Sequence, residues 1–336
     1  METLVKKVNS GERLSFDEGL RFFEGMVSGQ MPDSQVAASL IAIKFRRETV
    51  DEVAALALTL DAHKRVFSAG AAGTIDTCGT GGDGKSTVNV STAVSIILSS
   101  LGCPVVKHGN SAQSGLVGSA DILNDLGMDL EYKNSSPEDY FAQNGYVFML
   151  APLYHPALKG IGRVRREIKV PTIFNFVGPL INPADPEYQV IGINRKDRLE
   201  FLAQVVKKIG KKNITLYSSR DGYDEVSSME PTECIFIGDG NDRRFSIDPS
   251  DFFEPFSMPV VHDRGEAKRL FLDGLSGAND SVTNLFALNA ALALRTMDRC
   301  GMREGYRMVK EQIASGAAIR KLNELTGEGL ECQAAV

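Results

Sequence analysis

Beyond the small-residue stretch "FSAGAAG" at 67–73, the chain alternates short β-branched runs with helical stretches, and few folds accept that alternation. "CPVVKHG", "YVFML", "YQVIGI", "ITLYSS" and "CIFIG" have the length and the Val, Ile, Phe and Tyr content of buried strands. "TAVSIILSSLG", "SADILNDLG" and "SPEDYFAQNG" lie between them and read as helices. The pattern predicts a largely parallel sheet covered by helices, with "SVTNLFALNAALALRTMD" and "REGYRMVKEQIASG" as late covering helices.

Residues 1–70 read differently. Ser15-x-x-Glu18 and Thr49-x-x-Glu52 are capping boxes, and "PDSQVAASLIAIKFRRE" opens on Pro32 with apolar residues at helical spacing. Three short helices without an intervening strand make a small all-α domain. The expected organisation is therefore α/β: a helical domain at 1–70, joined by a helical segment near 155–185, and a large α/β domain over 71–336.

A net charge of -6 argues against nucleic acid as the main partner, because phosphate-backbone binding needs excess Lys and Arg. Five scattered cysteines, Cys78, Cys103, Cys234, Cys300 and Cys332, have no CxxC spacing and predict neither a disulfide framework nor a zinc site. No signal-peptide core opens the chain and no run of eighteen apolar residues occurs, so a reducing, cytoplasmic setting is expected and no membrane partner.

The richest chemistry lies in "DTCGTGGDGKSTVNVST" at 76–92. As Gly79-x-x-x-x-Gly84-Lys85-Ser86 it matches a nucleotide-triphosphate loop, and as Gly79-x-Gly81-x-x-Gly84 a dinucleotide fingerprint. The first requires a helix starting at Gly-Lys-Ser, whereas the convincing start is Ser91 or Thr92. The second requires an acid about 20 residues on, and no Asp or Glu occurs between Asp83 and Asp121. What both share survives: Gly79, Gly81, Gly82 and Gly84 allow amides close to an anion, and Asn89, Ser91 and Thr92 add donors at a helix N-terminus. Asp83 would repel a phosphate unless a cation or a sugar hydroxyl sits between them, which points to a magnesium-phosphate substrate. The competing reading is a structural glycine turn.

The next strand ends in "VVKHGNSAQSGLVGSAD". Loops after parallel strands converge on one crevice, so Lys107 is expected to face the glycine loop and supply charge to a phosphate. Ser119 is expected to cap the helix "ADILNDLG". His108 is read as either an acid-base group or, more often in such a setting, a packing group.

"GTGGD", "NVST", "KHGN" and "GSAD", in this order and spacing, resemble the anthranilate phosphoribosyltransferases. The resemblance continues through "HPALKGIGRVRREI", "TIFNFVGPLINPA", "QVIGI" and "GYDEVS" to "NAALAL", covering nearly the whole chain. It implies that phosphoribosyl pyrophosphate is bound by Gly79, Gly82, Asp83, Thr87, Asn89, Val90, Ser91, Thr92, Lys107, His108, Gly109, Asn110, Ser111, Ala112, Gln113, Ser114, Gly115 and Ser119. It implies an anthranilate site at Gly79, Asn110 and Arg165; in the same "RVRRE" run, Arg163 and Arg166 read as a solvated helix face. A carboxylated acceptor calls for a guanidinium fork, which suits Arg165. Asp224 and Glu225 alone suit either a turn or a metal; the resemblance implies that they and Ser91 hold magnesium, two ions per site. It also implies substrate binding between the domains and a homodimer.

The family usually has Arg after "KHGN" and then a serine-rich stretch with a basic residue. Here Ser111 and then Gly115, Leu116 and Val117 stand there, which bears on substrate affinity more than on reaction class. The implied reaction is displacement of pyrophosphate from ribose C1 by the amine of anthranilate, a step governed by positioning and charge stabilisation, with no single acid or base assigned. Rival readings are a pyrimidine nucleoside phosphorylase and a non-catalytic relative that binds an anion or nucleic acid.

Overall fold

The computed structural model describes residues 1–81, 84–112 and 116–327. Gly82, Asp83, Gln113, Ser114, Gly115 and Cys332 lie outside the described residues. The chain divides into two compact units: 1–66 with 151–185 and 200–211, and 67–150 with 186–199 and 212–336.

The first unit opens with α1 (Glu2–Asn9), α2 (Phe16–Val27), α3 (Asp33–Arg46) and α4 (Val50–Ala62). Ser15 with Glu18 and Thr49 with Glu52 form both expected capping boxes. Helix α1, not foreseen in the sequence, is short and mostly polar, and only Val5 and Val8 are buried. Glu52 is fully buried: its carboxylate also accepts from the Leu14 amide at 3.0 Å and pairs with Arg46 at 2.5 Å.

The second unit begins with β1 (Ile75–Gly79), α5 (Val90–Ser100), β2 (Val105–Gly109), α6 (Ser119–Asp125), α7 (Pro137–Asn144) and β3 (Tyr146–Leu150). The chain then returns to the first unit for α8 (Ala151–Tyr154) and α9 (Leu158–Ile168). Helix α9 packs against α3 and α2 through Ile161 and Val164, which places this segment with the N-terminal helices. After β4 (Tyr188–Gly192), α10 (Leu199–Lys208) runs almost wholly within the first unit. The second unit is completed by β5 (Ile214–Ser219), β6 (Thr232–Ile237), β7 (Arg243–Ile247), α11 (Arg264–Ser276), α12 (Asp280–Thr296), α13 (Met302–Ala314) and α14 (Ala317–Thr326).

Its seven strands are ordered β3-β2-β1-β4-β5-β6-β7, with the first five parallel and β6 and β7 antiparallel additions. The expected five strands are present together with β1 and β7. Strand β1 carries Asp76 and Thr77, both buried, and Asp76 is satisfied by the His108 amide at 3.2 Å and Gln189 at 3.0 Å. Strand β7 is a largely exposed edge with Arg243 and Arg244, the charge that discourages edge-to-edge pairing.

The connection from β1 moves outward to β2 and β3, whereas the later chain re-enters on the opposite side of β1 as β4 and β5. The carboxyl ends of β1 and β4 therefore flank a topological switch point, where open α/β sheets bind ligands.

Candidate functional site

Gly79 ends β1 and lies in register with Gly192, which ends β4. A β-carbon on Gly79 would collide with the Asp224 carboxylate, and one on Gly192 with the Asp224 backbone carbonyl. Both glycines are needed because the loop after β5 lies directly over them. The Asp224 carboxylate accepts from the Gly81 amide at 2.8 Å, and Glu225 accepts from the Thr87 hydroxyl at 2.9 Å. The paired acids are thus in contact with the glycine loop, 143 and 138 residues away in sequence.

A cavity of about 40 Å³ opens here, lined by Thr77, Gly79, Val90, Ser91, Val94, Val190, Tyr217, Asp224, Glu225 and Asn289. That is room for water or a small ion. The pKa of the Tyr217 hydroxyl is pushed well up by burial and by the charges of Asp224 and Glu225, so it stays protonated and adds no negative charge to the cavity.

Helix α5 begins at Val90 with Asn89 as its N-cap, one residue before the expected start and four after Ser86. No acidic residue occupies its first turn, so the end of the helix that favours anions keeps its polarity. The preceding segment is extended: Thr87 bridges Val260, and the Val261 amide donates to the Ser86 carbonyl at 2.7 Å. The Gly84-Lys85-Ser86 run therefore opens no helix. Lys85 instead donates to the Asp221 carbonyl at 2.6 Å and lies 3.7 Å over the Tyr223 ring. Lys85→Ala is expected to cost about 0.5–1 kcal/mol of loop stability, and the protein is expected not to hydrolyse ATP. ATP turnover abolished by that substitution would reinstate the triphosphate-loop reading.

Lys107 is buried and reaches the glycine-loop side of the sheet as expected: its ammonium donates to the Thr77 carbonyl at 2.5 Å and to the Ser91 hydroxyl at 3.3 Å. Burial lowers its pKa, while Asp76 and Cys78 oppose the shift. Ser91 thus sits between a buried cation and the carboxylate-lined cavity.

The Gly109-Asn110-Ser111-Ala112 turn folds onto the start of α6. The Asn110 carbonyl accepts from the Ser119 hydroxyl and the Ala120 amide, both at 3.2 Å, and the Asn110 side chain accepts from the Ser111 amide at 2.8 Å. Ser119 does not cap α6, contrary to expectation, because it is the first helical residue and Gly118 is the N-cap. Asp121 takes over, accepting from the Gly118 and Ala112 amides, both at 2.8 Å, and so closes the loop on itself. The acid three residues past the N-cap in "GSAD" was the available signal. Asn89 joins the two loops, donating to the Val117 carbonyl at 3.0 Å. His108 is buried, and Thr92 is fully buried within α5.

Gly79, Thr87, Asn89 to Thr92, Lys107 to Ala112, Ser119, Asp224 and Glu225 all belong to the second unit; Arg165 belongs to the first. On α9, Arg163 and Arg166 are exposed, and Arg163 pairs with Asp33. Arg165 is half-buried 5.4 Å over the Phe174 ring, burial lowers its pKa, and among the described residues its guanidinium makes no hydrogen bond or ion pair.

The polar side chains around the cavity are the carboxylates of Asp224 and Glu225, the hydroxyls of Thr77, Ser91 and Tyr217 and the Asn289 amide, and the two carboxylates with Ser91 make a hard-oxygen set suited to magnesium. Among the described residues no group of three His, Cys, Asp or Glu converges on one point. Magnesium is commonly held by one or two carboxylates with water and substrate phosphate, so these residues fit it better than an ion needing an all-protein cage.

Two family models together match most of the chain. The α/β-domain model of a glycosyl transferase family matches residues 71–319, and the helical-bundle-domain model of such a family matches residues 2–64. The chain is 38% identical over 330 residues to an anthranilate phosphoribosyltransferase of Geobacillus kaustophilus, covering 97% of each. It is 36% identical over 327 residues to one of Ignicoccus hospitalis, covering 96% of each. The crystal structure of the Thermus thermophilus anthranilate phosphoribosyltransferase matches with TM-score 0.87 at 28% identity, covering 96% of this chain and 98% of that one. The Saccharomyces cerevisiae enzyme, solved in complex with PRPP and Mg, matches with TM-score 0.85 at 24% identity, covering 97% and 96%.

Proposed function

The chain belongs to the glycosyl transferase family of the anthranilate phosphoribosyltransferases, and from that premise we infer what its residues do. It transfers the 5-phosphoribosyl group of phosphoribosyl pyrophosphate to the amine of anthranilate, a step of tryptophan biosynthesis. The products are N-(5-phosphoribosyl)anthranilate and pyrophosphate. The observation that carries the reading is the meeting of the glycine loop with Asp224 and Glu225 at the switch point of the sheet.

Phosphoribosyl pyrophosphate is held by the glycine loop, the first turn of α5, the end of β2 from Lys107 and the turn that follows it to Ala112. Gly82, Asp83, Gln113, Ser114 and Gly115 share this role by their positions in the motifs "GTGGD" and "KHGNSAQSG". Lys107 acts chiefly by fixing Ser91 and adding positive charge beneath it, because its ammonium is already engaged by Thr77 and Ser91. Asp224, Glu225 and Ser91 hold magnesium, with two ions per site. The chemistry supplied by bound magnesium is neutralisation of the departing diphosphate.

Arg165 grips the anthranilate carboxylate, while Asn110 and Gly79 border the acceptor. Held in place, the weakly basic amine attacks C1 as the diphosphate leaves and the ribose gains oxocarbenium character, so the protein contributes orientation and electrostatics rather than a strong base. This reading includes a homodimer through the helical unit. No described helix is long and apolar enough to cross a membrane, and Cys78, Cys103, Cys234 and Cys300 are free thiols, which supports a cytoplasmic setting.

Mixing the purified protein with phosphoribosyl pyrophosphate and anthranilate is expected to abolish anthranilate fluorescence with magnesium and not with EDTA. Persistent fluorescence at high enzyme concentration would overturn the acceptor assignment and make the segment from Ser111 to Val117 the first place to look for altered specificity. Phosphorolysis of a pyrimidine nucleoside without metal would favour the phosphorylase reading instead.

A further inference from the structure

Asn289 lies in the middle of α12, within the apolar run "LFALNAALAL", and is 6% exposed. An amide in such a place is costly unless its polar atoms are bonded. Its oxygen accepts from the Val226 amide at 2.8 Å, and its nitrogen donates to the Val226 carbonyl at 3.0 Å and to the Leu285 carbonyl at 2.9 Å. The Val226 amide belongs to the peptide plane shared with Glu225, and the Val226 carbonyl to the plane shared with Ser227. One side chain therefore fixes both planes around Val226. The same side chain lines the cavity that contains Asp224, Glu225 and Ser91.

The support behind Asn289 is rigid. Helix α12 is buried along nearly its whole length, and its Thr296 hydroxyl meets the Thr215 hydroxyl of β5 at 2.6 Å. The loop carrying the two acids departs from the far end of β5, and Val226 is tied back to the same helix α12 that is anchored to that strand. Leucine would fill the same space without leaving a polar group in an apolar helix; the amide is explained by the loop backbone it clamps.

We propose that Asn289 is a positioning residue for magnesium, setting through Val226 where the Asp224 and Glu225 carboxylates stand. The proposal rests on the reading of those acids as metal ligands. Residues that orient metal ligands typically change metal affinity by about 10- to 100-fold when lost. Asn289→Leu and Asn289→Ala are accordingly expected to raise the magnesium concentration for half-maximal turnover by roughly tenfold or more. Turnover at saturating magnesium and the KM for anthranilate should stay near the parent values.

Binding of manganese to the protein in the presence of pyrophosphate, followed by electron paramagnetic resonance, should weaken by the same factor. A folded variant with unchanged metal binding, or one whose turnover falls equally at every magnesium concentration, overturns the proposal. If Asn289→Leu fails to fold, Asn289→Ala, which admits water to Val226, decides by the same readouts. The Asp224→Ala/Glu225→Ala protein, measured alongside, separates the two ideas: metal binding unaffected by its loss of carboxylates sinks the ligand reading itself. Loss of metal binding there, with none in the Asn289 variants, sinks only the positioning role.

Discussion

Replacing Asp224 and Glu225 together by Ala is expected to lower magnesium-dependent turnover by at least about a thousandfold, corresponding to roughly 4 kcal/mol of transition-state stabilisation. The size follows from what is removed: both carboxylates of the cavity, leaving hydroxyl and backbone oxygens to hold a divalent cation against a diphosphate. The Gly81 amide and the Thr87 hydroxyl also lose their partners, so some disorder of the glycine loop would accompany the loss of charge. Asp224→Asn separates these effects, because an amide oxygen still accepts from Gly81 while the negative charge is gone. Steady-state rates over a magnesium titration, with thermal unfolding as a control, test the expectation. Parent-like activity in the double variant would remove the pair from the site.

Arg165→Ala is expected to raise the KM for anthranilate roughly ten- to a hundredfold, the equivalent of about 1.5–3 kcal/mol for hydrogen bonds to a charged group. Binding of phosphoribosyl pyrophosphate should change little. The half-buried guanidinium has an aromatic face and, among the described residues, no carboxylate; burial without an anion is unfavourable until one arrives. Arg165→Lys should restore only part of the loss, since a point charge does not reproduce a bidentate fork. Separate substrate titrations decide the matter. Equal losses for both substrates would assign Arg165 a general structural role.

The features legible in the sequence were those whose physics is local. Each capping box is four residues long, and the glycine loop declares close backbone approach through its composition. Strand β1 was harder to read because Asp76 and Thr77 interrupt its apolar character, and their compensation comes from Gln189 and the His108 amide on neighbouring strands. Ser119 was a reasonable cap by type, yet the cap position fell one residue earlier and Asp121 closed the loop. Asn289 carried a visible signal, a polar side chain inside an apolar helix, but its partner Val226 is 63 residues away and only the fold identifies it. The same holds for Gly192, whose bareness makes sense only beneath the Asp224 backbone.

The helical unit is not contiguous in the chain: it takes α1 to α4, then Ala151–Asp185, then Glu200–Lys211. During synthesis on the ribosome this unit lacks its last helix until Lys211 has emerged, by which time the first four strands of the sheet have already been made. Vectorial folding, one domain after another, is therefore closed to this chain. The early helices must wait with their α9-facing apolar surface uncovered, a period in which chaperone capture or misassociation competes with completion.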